Sequence, residues 1–140
     1  MAVKSWIAAA NEQRTDFPLA NLPYGVFTHM HGRRIGVAIG DQILDLGAAA
    51  SESMLASLPT AVVDACTASV LNPLMALGPE AWTALRRRVT ELLREDADAN
   101  TQECVAAMLI AQADAEMHLP AHIGDYTDFY ASIHHATRVG

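Results

Sequence analysis

The chain has 140 residues, 51% of them hydrophobic, with a formal net charge of −7 and an isoelectric point near 5.2. That length fits about one domain with a core of its own, and the hydrophobic content excludes a disordered polymer. The acidic balance argues against phosphate backbones, so no nucleic-acid partner is expected. No apolar run approaches the about 20 residues of a membrane span, so no membrane partner is expected either.

Residues 1–14 predict a short helix with Trp6, Ile7 and Ala10 on one face, brief enough to fray. Its apolar stretch, Trp6 to Ala10, is short for a signal-peptide core and ends at Asn11-Glu12-Gln13-Arg14. A cytoplasmic protein is the expectation. Pro18, Pro23 and Gly25 then argue for a loop, with Phe17, Leu22 and Tyr24 as its anchors. A first strand is predicted over 25–29, with a turn at Met30-His31-Gly32. Residues 34–39 alternate cleanly, Ile35, Val37 and Ile39 on one face and Gly36 and Ala38 on the other. The small residues imply close approach by another sheet or a helix. Gly40-Asp41 reads as a hairpin turn, and residues 42–46 return with either Ile43 or the Leu44/Leu46 pair inward. Three short strands joined by tight turns predict a small curled antiparallel sheet or barrel.

Helices are predicted from there. One runs from Ala48 to Leu58 and stops at Pro59. A second runs from Ala61 to Val70, capped by Thr60. A short turn of helix covers Leu71–Leu77. The clearest helix starts at Gly78-Pro79 and runs to Glu95, with Trp82, Leu85, Val89, Leu92 and Leu93 as its apolar stripe. The run Arg86-Arg87-Arg88, flanked by Glu80, Glu91 and Glu95, reads as a solvated face. Asn100 and Glu103 stand in capping-box spacing for a helix over 101–107. Residues 108–117 are ambiguous, and Met117-His118-Leu119 is expected to be extended before Pro120. Cys66 and Cys104 form no C-x-x-C pattern, and buried thiols are expected.

Ionisable and aromatic side chains are densest in residues 121–140. Asp125 and Asp128 are three apart and would share a helix face. His134 and His135 are adjacent and point apart, so they offer no zinc-chelating pair. On a continuous helix Asp128 and His135 would share a face about 10.5 Å apart. Carboxylates without cysteine favour calcium or magnesium over zinc, and one aspartate cannot hold such an ion.

Several stretches, in order along the chain, resemble the N-terminal part of the fumarylacetoacetase family. They are Asp16-Phe17-Pro18, residues 21–27, residues 34–46, Met117-His118-Leu119-Pro120, residues 123–130, and His135-Ala136-Thr137 with Val139-Gly140. The helical middle, Ala48 to Ala115, is generic. The resemblance implies an α+β chain. A small SH3-like antiparallel β-barrel domain with several helices would span 1–118, and the start of a β-rich catalytic domain would span 119–140.

Matching the D-Y-T-D-F-Y motif implies a metal-ligand role for Asp128 and a substrate-binding role for Tyr130. Matching H-A-T-x-V-G implies the catalytic base at His135. Asp125 and His134 become framework, and Arg138 departs from the asparagine expected there. The implied reaction is hydrolysis of a carbon–carbon bond in a β-diketone, 4-fumarylacetoacetate, to fumarate and acetoacetate in tyrosine and phenylalanine breakdown. The implied cofactor is calcium or magnesium, with further carboxylates from beyond Gly140, and the implied assembly is a homodimer. The 140-residue chain by itself is expected to be inactive. The competing expectation is a stand-alone, non-catalytic SH3-like module kept for interaction or stability.

Overall fold

A computed structural model describes residues 3–140. The alternating stretch forms a strand with the expected bounds: β2 is Arg34–Ile39, flanked by β1 (Tyr24–Thr28) and β3 (Gln42–Asp45). Two three-residue strands complete the set: β4 (Leu109–Ala111) comes from the ambiguous stretch, and β5 (Glu116–His118) includes Met117 and His118, expected to be extended. The five make one antiparallel sheet in the order β4-β3-β2-β1-β5, curled into half a barrel.

The register decides what each face buries. Val26 lies opposite Ile35 and Val37 opposite Leu44, so these four share a face with Ile39. All five are fully buried in the main core. Leu46 joins them, which places the Leu44/Leu46 pair inward. Ile43 is also buried, but on the opposite face beside Phe27. A Cβ added to Gly36 would collide with Ile43 Cγ2 and lie 2.8 Å from Phe27 Cε1. The close approach inferred from the small residues is therefore made by the sheet's own side chains, leaning over Gly36 as the sheet curls.

The β2–β3 turn needs a glycine for two reasons. Gly40 has φ +56°, in the left-handed region, and a Cβ there would sit 2.7 Å from the Ala10 nitrogen. The N-terminal segment thus lies directly against the hairpin. Among the described residues of this segment only Ala8–Asn11 is helical, as a 3-10 turn. Ser5 Oγ donates to the Leu93 carbonyl at 2.6 Å and Trp6 Nε1 to the Leu92 carbonyl at 3.0 Å. These donors satisfy two of the carbonyls that a helix end leaves open.

Among the described residues six α-helices follow or flank the sheet: α1 (Leu46–Ser51), α2 (Thr60–Cys66), α3 (Asn72–Ala76), α4 (Pro79–Leu93), α5 (Ala99–Ala106) and α6 (Ile133–Val139). The helix expected to reach Leu58 stops at Ser51, and Ser53 adopts φ 60° shortly beyond. Asp45 starts α1. Its Oδ1 accepts from the Ala48 N–H at 3.0 Å while Oδ2 accepts from Arg34 Nη1 at 2.9 Å. The carboxylate is almost fully buried, so one side chain caps the helix and ties it to β2.

Pro59, not Thr60, sits at the N-cap of α2. In α4 the stripe Leu85, Val89, Leu92 and Leu93 is buried as expected, but Trp82 is 42% exposed, its indole N–H donating to the Leu74 carbonyl at 2.8 Å. The arginine run is not one solvated face. Arg86 lies over the Tyr24 ring at 5.5 Å, Arg88 Nε donates to the Met54 carbonyl, and Arg87 is exposed. Asp98, not Asn100, caps α5: Oδ1 accepts from the Thr101 N–H at 3.0 Å. The Thr101 hydroxyl and N–H both donate to that carboxylate and lower its pKa.

Both cysteines are free. Cys66 is buried, and burial pushes its thiol up to about 11, whereas Cys104 is only partly covered. Among the described residues no helix is long and apolar enough to cross a membrane.

Candidate functional site

The segment carrying Asp128, Tyr130 and His135 leaves the body along α3. After β5 the chain turns at Pro120, whose carbonyl accepts the Leu71 N–H at 2.7 Å. Asn72 then grips the backbone of His122 from both sides: its Oδ1 accepts the His122 N–H at 2.8 Å and its Nδ2 donates to the His122 carbonyl at 3.0 Å. Among the described residues, no hydrogen bond joins anything beyond His122 to the body.

Residues 123–132 then run without helix or strand. Gly124, Asp125, Thr127 and Asp128 are poor helix formers, and no packed surface overrides them. The condition under which Asp125 and Asp128, or Asp128 and His135, would share a helix face is therefore not met. Only Ile133–Val139 is helical, and His134 and His135 fall in its first turn. Nearly every side chain beyond His122 is exposed, among them Ile123, Tyr126, Phe129 and Ile133.

Two of the three expected site residues come together. The Tyr130 and His135 rings lie with centroids 5.1 Å apart, tilted by 54°. A phenol and an imidazole so placed can share a bound oxygen compound, one by hydrogen bonding and the other by proton transfer. Asp128 is an exposed carboxylate, and its neighbour Asp125 accepts the Tyr126 N–H through Oδ1 at 3.1 Å. No three His, Cys, Asp or Glu side chains among the described residues converge as a metal site.

The body offers a second, apolar feature. A cleft of about 300 Å³ is lined by Tyr24, Leu71, Leu74, Met75, Trp82 and Leu85. Tyr24 is one of its lining residues; its hydroxyl is buried, and burial raises its pKa although the Arg86 guanidinium opposes the shift.

A family model described as fumarylacetoacetase N-terminal matches residues 20–120. The chain belongs to that family. Its relatives extend the match through the exposed segment. The fumarylacetoacetase of Caenorhabditis elegans is 49% identical over 142 residues, which is 99% of this chain and 33% of that protein. The human fumarylacetoacetase is 45% identical over 97% of the chain, and that of Arabidopsis thaliana 35% over 99%, each again across 33% of the relative. The chain therefore spans about a third of the length of these fumarylacetoacetases. The family model stops near Pro120, where the body's hydrogen bonds also run out, while the alignments with whole relatives continue over the residues singled out by motif.

Sequence reasoning did not single out Asn72. Asn72-Pro73 reads locally as a helix start, and its partner His122 lies 50 residues away, so nothing in the local pattern marks the contact.

Proposed function

We propose that this chain is the N-terminal portion of a fumarylacetoacetase that hydrolyses the carbon–carbon bond of 4-fumarylacetoacetate, releasing fumarate and acetoacetate in tyrosine and phenylalanine breakdown. The observation that carries the reading is identity of 35–49% to named fumarylacetoacetases over nearly the whole chain, the exposed segment included. In this reading residues 1–118 are an SH3-like barrel domain and 119–140 open the catalytic domain. The assembled protein is a cytoplasmic homodimer.

His135 is the general base that takes a proton from water as the carbonyl is attacked. An imidazole suits that role because its ordinary pKa lies near neutrality. Tyr130, its ring tilted beside the imidazole, binds and orients the substrate. Asp128 fits as one hard-oxygen ligand of calcium or magnesium, and by itself is not a site. The remaining carboxylates would come from the two-thirds of the relatives' length that this chain does not span. When bound, such an ion supplies Lewis-acid stabilisation for charge developing on the diketone oxygens.

The test is turnover of fumarylacetoacetate by a polypeptide that continues this chain to the relatives' full length. His135→Ala is expected to abolish turnover with little change in melting, and Asp128→Ala to weaken calcium binding. Normal turnover by the His135→Ala variant would overturn the assignment.

A further inference from the structure

The helical middle of the chain, generic by sequence, holds the site-bearing segment at one point. Helix α3 is five residues long and would be marginal alone. It is fixed to α4 by the Trp82 indole on the Leu74 carbonyl, and Leu74 itself is buried in the core. From that anchored turn project the only groups of the body that hydrogen-bond the chain between β5 and Gly140, among the described residues: the Leu71 N–H on Pro120 and both ends of the Asn72 amide on His122. The Asn72 pair is directional. A carboxamide that accepts from an N–H and donates to the carbonyl of one residue reproduces a strand-like pairing and fixes the orientation of that peptide. The Pro120 contact fixes the position two residues earlier.

We infer that Asn72 is a positioning residue: it sets the direction in which the chain leaves the body six residues before Asp128. It touches none of the residues assigned to chemistry. Its effect on catalysis rests on the reading proposed above, while its effect on the chain's path does not. Bonds of this kind on a part-exposed surface contribute little to global stability, but they decide where a connecting segment goes. Small displacements of catalytic groups carry rate penalties out of proportion to their size.

Two measurements separate the path from the chemistry. In the 140-residue chain, Asn72→Ala should speed amide hydrogen exchange at His122 at least about 10-fold, the local bond being lost. Exchange in β1–β3 should stay unchanged. Exchange at His122 equal to the parent's would overturn the inference. In the full-length protein, Asn72→Ala should lower kcat at least about 10-fold, with a melting temperature close to the parent's. Asn72→Asp, which keeps the acceptor for the His122 N–H and loses the donor, should fall between. An unchanged kcat in an active parent would also overturn the positioning role. If instead the full-length parent shows no turnover of fumarylacetoacetate, the proposed function fails and the exchange result alone decides the inference.

Discussion

Phe27 and Phe129 are the same side chain with opposite fates, 1% and 79% exposed, and so are Ile35 and Ile133, at 0% and 77%. The first of each pair sits in a body whose strands and helices supply facing surfaces. The second sits in a segment with comparable apolar content and nothing packed against it. Intrinsic hydrophobicity does not fold a segment. Burial needs a partner face, and each square ångström left in water forgoes about 25 cal/mol. In this chain the stability lies in the body and the residues of chemical interest lie outside it, joined through Pro120–His122.

The sharpest way to break that contrast is a pair of truncations. Leu92→Ala, in the fully buried stripe of α4, should cost about 2–5 kcal/mol in chemical denaturation. Ile133→Ala should stay within about 0.5 kcal/mol of the parent. Comparable losses at the two sites would mean that the segment packs on the body after all.

Next in size is Asp45→Ala. It removes the cap of α1 and leaves Arg34 without its partner, for an expected loss of about 2 kcal/mol by the same measurement. A loss as small as that of Ile133→Ala would show that the pair only decorates the surface.

The body also has an alkaline weakness. The Cys66 thiol is held near 11, above its ordinary value of 9.0, so the folded state keeps a proton that the unfolded state releases. Stability from this group is complete below pH 9 and is lost as pH rises toward 11. Tyr24, raised in the same direction, adds to the loss at higher pH. Melting temperature should fall across that window, and Cys66→Ala should flatten the slope even as it lowers the starting value. An equally steep slope in the variant would assign the effect elsewhere.

The smallest effect belongs to Asp98, whose pKa is lowered by the Thr101 hydroxyl and N–H. Its contribution is present above its ordinary pKa of 3.8 and fades as pH falls below that. Asp98→Ala should lower melting slightly at pH 7 and leave it unchanged in strong acid.

The sequence made the strands legible for a physical reason. Residues 34–39 alternate strictly and end at a glycine the turn requires, so β2 appears with its exact bounds. The three-residue strands β4 and β5 are too short to carry a period and owe their existence to edges offered by β3 and β1. Trp82 belongs to the stripe by spacing, yet the stripe is wider than the surface it faces, leaving the indole at the rim. Asp98 takes the cap in place of Asn100 because its carboxylate accepts both the Thr101 N–H and the Thr101 hydroxyl.

At the site, motif resemblance singled out Asp128, Tyr130 and His135, and the structure pairs the last two. No continuous helix joins Asp128 to His135, so their seven-residue spacing sets no shared face; Gly124, Asp125 and Thr127 are poor helix formers. Asn72 was invisible because its contact is nonlocal.

The function proposed above has this chain carry part of a hydrolase's site and not turn over substrate by itself. The direct measurement is hydrolysis of 4-fumarylacetoacetate, followed as release of fumarate, by the 140-residue chain and by a polypeptide continued to the relatives' full length. Turnover is expected of the longer protein in the presence of calcium or magnesium, and none of the chain. Turnover by the chain alone would contradict it.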